Sequence, residues 1–290
     1  VSGDAVYWRG VFNQWQRGLG GHVNIQHYAN AIEEARRAHA FELGHDPIEL
    51  RANGLAVRPL KERIDFRREL APGNAAFIEG AGGLDNDGET TLAGRMLRPH
   101  DDAPVMRFET SWAIHDVERR VHSDGAGHDL LALGGDARLR PMPEPWTPAR
   151  LPAHALLAWR GTVEVRDCDE HELQSPRAIF DIVTRALWAV QIPLGGHRRE
   201  MGQRGAAGAM TAVQVRHGRP ARMGDLLSVR VATLGFGETS VRFGQLIADE
   251  TDGEIVARVE YVMSFFDRAS GRRSPPDAAA LEGFRALLAP

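Results

Sequence analysis

The residues best suited to acid–base chemistry stand in one short run, Asp167-Cys168-Asp169-Glu170-His171-Glu172. A carboxylate such as Asp169 can attack a carbonyl carbon or take a proton from water; otherwise it is a solvated turn residue ahead of a helix. Asp167, two residues earlier on a strand end, would share a side with Asp169, and Cys168 would point the other way and be buried. The run also contains metal-ligating side chains. It lacks the His-x-x-x-His or Cys-x-x-Cys spacing that makes zinc convincing, so no metal and no cofactor is expected. A second polar cluster is Gly21-His22-Val23-Asn24, followed by Tyr28. His22 and Asn24 could orient water or donate to a carbonyl; the structural alternatives are a fixed turn and a helix cap. Arg219 and Arg222 flank Pro220 and could meet phosphates, with His197-Arg198-Arg199 a further basic cluster.

These residues sit in a frame written twice. Trp8-Arg9-Gly10 returns as Trp159-Arg160-Gly161, and 159 minus 8 is 151. Gly44 with Gly195, and Gly73 with Gly224, keep that offset; Gly88-Glu89-Thr90 returns as Gly237-Glu238-Thr239 with a slip of two residues. At the same offset Gly18 stands where the second copy has Asp169.

The first copy predicts a strand over Ala5–Asn13 and a helix over Gln26–Leu43. Tyr28, Ile32, Ala35 and His39 would face inward, and Glu33, Glu34, Arg36 and Arg37 would occupy the other faces. Strands are expected over Ile64–Leu70, Ala75–Ala81, Thr90–Leu97 and Val105–Ile114. The second copy predicts a strand over Thr162–Asp167 and a helix over Pro176–Ile192 with Ile179, Val183, Ala186 and Val190 buried. Strands over Ala212–Arg216, Leu226–Thr233, Ser240–Ala248 and Ile255–Phe266 would follow. Four prolines between 141 and 148 make residues 138–151 a semi-rigid linker between units 1–137 and 152–290. One strand, one helix and four strands, repeated, imply two α+β units, each a curved antiparallel sheet around its helix. Pairing the sheets edge to edge would remove an exposed edge from both.

Composition narrows the function classes. With 43% hydrophobic and 26% charged residues, the chain of 290 residues can build a substantial core, and a net charge of -4 does not suggest a nucleic-acid binder. The single cysteine excludes an internal disulfide and fits a reducing compartment. No apolar run approaches the ~20 residues of a membrane span, and no basic-then-apolar export signal is seen, so a cytoplasmic location is expected.

The strand-end Asp-x-Asp of Val165-Arg166-Asp167-Cys168-Asp169, followed by a turn and a long helix, resembles the hotdog-fold thioesterases of the 4-hydroxybenzoyl-CoA thioesterase-like superfamily. Gly21-His22-Val23-Asn24 with Tyr28 is similar to that family's Gly-His-Val-Asn variant and to the acyl-carrier-protein thioesterase motif. Three positions depart: Gly18 replaces the catalytic Asp, Gly20 replaces an Asn, and Glu172 replaces a glycine. The resemblance spans nearly the whole chain and implies a double hotdog that hydrolyses an acyl-CoA or acyl-carrier-protein thioester. Asp169 would be general base or nucleophile, and a helix N-terminus would polarise the carbonyl. Hotdog enzymes set the acid of one unit against the helix of the other, which would place Asp169 opposite Gly21 to Tyr28. A homodimer of the double unit is a further expectation. The alternatives are a 3-hydroxyacyl-thioester dehydratase and a non-catalytic acyl-thioester-binding protein.

Overall fold

A computed structural model describes residues 5–18, 21–84, 89–118, 155–191, 206–276 and 278–287. The expected linker, the stretch with Gly195 and His197-Arg198-Arg199, and Gly20 and Gly88 lie outside the described residues. The first unit runs β1 (Ala5–Val11), α1 (Ile25–Glu42), α2 (Pro47–Ala52), β2 (Leu55–Phe66), β3 (Ala75–Leu84), β4 (Thr90–Arg98) and β5 (Asp101–Asp116). The second runs β6 (Leu156–Thr162), α3 (Pro176–Gln191), β7 (Ala206–His217), β8 (Leu226–Gly237), β9 (Ser240–Asp249), β10 (Ile255–Asp267) and α4 (Ala278–Ala286). The offset of 151 carries both ends of β1 onto β6 and of β2 onto β7.

All ten strands form one antiparallel sheet in the order β1-β3-β4-β5-β2-β7-β10-β9-β8-β6. The units meet at β2 and β7, in register from Lys61 opposite Arg216 to Asp65 opposite Ala212. Each unit thus gives up one open edge, as the repeat predicts. α1 and α3 pack against each other, and a continuous apolar core runs from Phe12, Tyr28 and Ile32 to Phe180, Val213 and Phe243.

The recurring Trp-Arg-Gly has a steric cause. β1 slips register between Val6 and Trp8, and β6 does so between Leu157 and Trp159. After each bulge the indole folds over the glycine two residues on. A Cβ on Gly10 or Gly161 would lie 2.6 Å from the Cζ2 atom of Trp8 or Trp159.

The structure corrects several expectations. Thr162–Asp167 is not a strand: β6 ends at Thr162 and Val165–Asp167 is a 3-10 turn. The mirrored turn is Gln14–Gln16, and both are closed by a reciprocal capping box, Asn13 with Gln16 and Glu164 with Asp167. Cys168 therefore follows a turn, half-buried, with its thiol on the Glu164 carbonyl. β2 begins at Leu55, well before the expected Ile64, because Arg58, Lys61 and Glu62 interrupt the apolar pattern yet are buried. Glu33 and Arg36 are also buried rather than solvated: Arg36 turns to the sheet and donates to Glu62 and Thr110, and Glu33 accepts from Arg37. The C-terminal helix α4 was not anticipated; its Phe284 packs edge-on against Phe243 at 5.2 Å.

Gly161→Ala should lower stability by about 1–3 kcal/mol in urea unfolding, since the methyl must displace a packed indole. Gly235→Ala, with nothing within 4 Å of the added carbon, should stay within about 0.5 kcal/mol. Equal effects would remove the steric reading of the motif.

Candidate active site

The loop that leads into α3 is tied down by its own backbone and by Asp169. The Asp169 N–H donates to the Leu173 carbonyl at 2.9 Å, and Oδ1 accepts from the N–H groups of His171 (2.9 Å) and Leu173 (3.2 Å). The turn needs a left-handed residue. Glu172 takes it with φ 59°, as Gly21 does at the equivalent place with φ 91°. The Glu172 that departs from the family pattern therefore keeps the backbone conformation for which glycine is favoured. The loop then joins the second unit's sheet, with the Gln174 N–H donating to the Ala221 carbonyl at 2.7 Å.

From the first unit, Arg58 on β2 reaches over this loop. Its Nη2 pairs with Asp169 Oδ2 at 2.5 Å, the two side chains 8% and 4% exposed, and Nη1 donates to the Gln174 carbonyl at 3.5 Å. Burial pulls the Arg58 pKa down, and the Asp169 charge opposes it. Arg37 on α1 reaches the neighbouring Glu170 at 3.4 Å. Asp169 is thus set against β2 and the later part of α1. No described hydrogen bond or ion pair joins it to His22 or Asn24, the residues that the sequence predicts opposite it.

Arg58 also lines a cavity of about 40 Å³ at the N-terminus of α3, with Pro59 and His115 from the first unit and Gln174, Pro176 and His217 from the second. That volume admits a few waters or a reacting group, not a hydrocarbon chain. Gln174 is 5% exposed, and neither its amide nitrogen nor its amide oxygen has a hydrogen-bond partner. It also lines an adjoining cleft of about 260 Å³ with Trp159, Glu164, Asp167, Asp181 and Arg185.

On the opposite wall His217 Nε2 lies 2.7 Å from Glu62 Oε2. Glu62 stands opposite Val215, so His217, two residues further, is its diagonal neighbour on the same face. Burial pushes the Glu62 carboxyl upward, but the Arg36 guanidinium at 2.9 Å and His217 outweigh it and hold it at about 2. His115 is drawn below the ordinary 6.5 by burial and by the Arg58 charge.

The remaining predicted residues lie elsewhere. His22 Nδ1 is 3.4 Å from Glu69 of its own unit, and Asn24 occupies the α1 N-cap without a side-chain capping bond. The Tyr28 hydroxyl accepts from the Leu70 N–H at 3.0 Å; burial raises its pKa to about 12. Asp167 accepts from the Glu164 N–H at 3.3 Å inside its turn. Arg219 is buried among Asp225, Asp249, Asp252 and Glu254, so its charge is balanced within the protein. Arg222 is more exposed; it donates to the Val117 carbonyl at 3.0 Å and bridges the units. Among the described residues no group of three His, Cys, Asp or Glu side chains is placed to hold a metal ion.

Sequence reasoning missed Arg58, His115, Gln174 and His217. They lie on four separate segments in no motif, and the signal that could have found them was the repeat itself.

Residues 176–284 match the model of the thioesterase-like superfamily. No curated protein matches the chain in sequence. Among solved structures, a Lactobacillus plantarum protein assigned as an oleoyl thioesterase shares the fold with a TM-score of 0.69 at 13% identity, covering 95% of this chain and 99% of that one. An acyl-ACP thioesterase from Bacteroides thetaiotaomicron gives 0.61 at 13% identity, covering 89% and 96%. The 12:0-ACP thioesterase from Umbellularia californica gives 0.61 at 13% identity, covering 88% and 92%. The chain is a double hotdog, and its second unit carries the thioesterase-like superfamily signature.

Asp169→Asn keeps an acceptor for the loop N–H groups but strands the buried Arg58 charge. Urea unfolding should show a loss of about 3–5 kcal/mol. Adding Arg58→Met should recover most of it; an unchanged single variant would mean that the pair contributes nothing.

Proposed function

We propose that the chain hydrolyses an acyl thioester of coenzyme A or of an acyl carrier protein, and that the reaction takes place in the cavity at the α3 N-terminus. The observation that carries this reading is the cavity's place: both units wall it, the amino end of a central helix points at it, and the unpartnered Gln174 amide lines it. Helix N–H groups and the Arg58 guanidinium favour the oxyanion that forms as a thioester carbonyl is attacked. The polar lining of the adjoining cleft suits the amide-bearing thiol arm better than a hydrocarbon.

Asp169 is the acidic residue of this site, acting through Arg58. One of its oxygens takes two N–H bonds and the other takes the guanidinium. That arrangement favours positioning over the general-base or nucleophilic role expected from the sequence. His22 and Asn24, beside Glu69 and at the start of α1, serve the fold of the first unit in this reading.

The test is thiol release from acetyl-, octanoyl-, oleoyl- and benzoyl-CoA and from acyl carrier protein thioesters. Wild type should release thiol from at least one of them, Asp169→Asn should lose about 100-fold through misplaced Arg58, and His22→Ala should stay within about twofold. Enoyl absorbance without thiol would indicate dehydration instead. Wild-type turnover in Asp169→Asn would remove that residue from the account.

A further inference from the structure

The two units offer two related junctions, one at the amino end of each central helix, and their strand registers show which residues correspond. In the first unit Ala56 pairs with His115, and in the second Ala207 pairs with Phe266; both members move by 151. Thr90 with Trp112 and Val241 with Met263 move by the same amount. His115 therefore corresponds to Phe266. By the same offset His217 corresponds to Phe66, Arg58 to Ala209 and Gln174 to Val23. One junction holds two imidazoles, a guanidinium and a primary amide; its counterpart holds two phenyl rings, a methyl and an isopropyl group.

Such a contrast is not needed for folding, because the apolar set occupies the same backbone positions in the sister unit. It also leaves unmet polar capacity. Gln174 has both amide atoms unpartnered at 5% exposure, and no described hydrogen bond or ion pair holds His115. A buried amide without partners costs about 1–3 kcal/mol unless something that enters the cavity satisfies it.

We infer that His115 is the general base and Gln174 the carbonyl-binding donor of this cavity, which makes the first unit's β5 a supplier of catalytic chemistry. The inference rests on the thioesterase reading above. The His115 imidazole takes a proton from water as the water oxygen bonds to the carbonyl carbon. The carbonyl π pair moves to oxygen, where the Gln174 NH2 donates to it. Collapse re-forms the carbonyl and breaks the C–S bond, and the departing sulfur takes the proton from His115. The products are the carboxylic acid and the free thiol, and the imidazole is neutral again.

The charged and titratable groups that share the cavity with His115 are Arg58 on β2, itself paired with Asp169, and His217 on β7 with Glu62 behind it. Burial, and then the Arg58 charge, favour the neutral imidazole, which is the form a base requires.

The experiment uses His115→Phe and Gln174→Val, each copying the residue at the equivalent position, so both should fold with near wild-type melting temperatures. Thiol release from the best of the acyl-CoA probes should fall about 100-fold or more in kcat for each. The acidic limb of the wild-type kcat/KM profile should inflect below 6.5 and vanish in His115→Phe while remaining in Gln174→Val. If wild type hydrolyses thioesters and His115→Phe keeps its turnover and acidic limb, the inference is overturned and the thioesterase reading stands. If wild type releases no thiol from any probe, both fall together.

Discussion

Five residue pairs, from Lys61 opposite Arg216 to Asp65 opposite Ala212, join two five-stranded sheets into one, and that register sets the first unit's cavity groups against those of the second. A slip of one residue would turn the side chains of β2 over. Glu62 would leave His217, and Arg58 would leave Asp169. The seam also explains why buried charge is tolerated here. Two buried pairs near it join different elements: Arg36 from α1 with Glu62, and Arg58 from β2 with Asp169. Such pairs contribute little net stability against apolar replacements, but breaking one is costly. Arg58 with Asp169, and Glu62 with His217, cross between the units and hold them to one alignment.

Duplication with divergence accounts for the rest of the design. Both units keep the bulged Trp-Arg-Gly strand, the 3-10 turn with its capping box and the left-handed residue before the central helix. These parts shape the backbone and recur with their steric reasons intact. What differs is the chemistry at the helix starts. Around α3 a carboxylate, a guanidinium, an amide and imidazoles gather, whereas Val23, Phe66, Ala209 and Phe266 occupy the corresponding places around α1.

Much of this architecture was legible in the residues. The repeat, both central helices to within two residues and the later strands of each unit follow from periodicity and turn residues. The start of β2 was hidden because its polar residues are buried by partners that sequence spacing does not reveal. Thr162–Asp167 read as strand because alternation cannot distinguish a short extended run from a capped 3-10 turn. For the site, comparison of the copies singled out Asp169 and correctly placed it before the second helix. Its partner was misassigned to the His22 turn, since which strand crosses above a loop is a matter of sheet register. Arg58, His115, Gln174 and His217 carry no local motif, yet each is a polar residue whose repeat mate is apolar. Applied to every position instead of to the motifs alone, the offset would have exposed them.

The central claim is that the polar junction at α3, and not its apolar counterpart at α1, receives the thioester. It is tested most directly by a crystal structure with a non-hydrolysable ketone analogue of an acyl-CoA substrate. The account predicts the ketone oxygen within hydrogen-bond distance of the Gln174 amide nitrogen, beside His115 and Arg58. A ketone seated at the start of α1, next to His22 and Asn24, would contradict it.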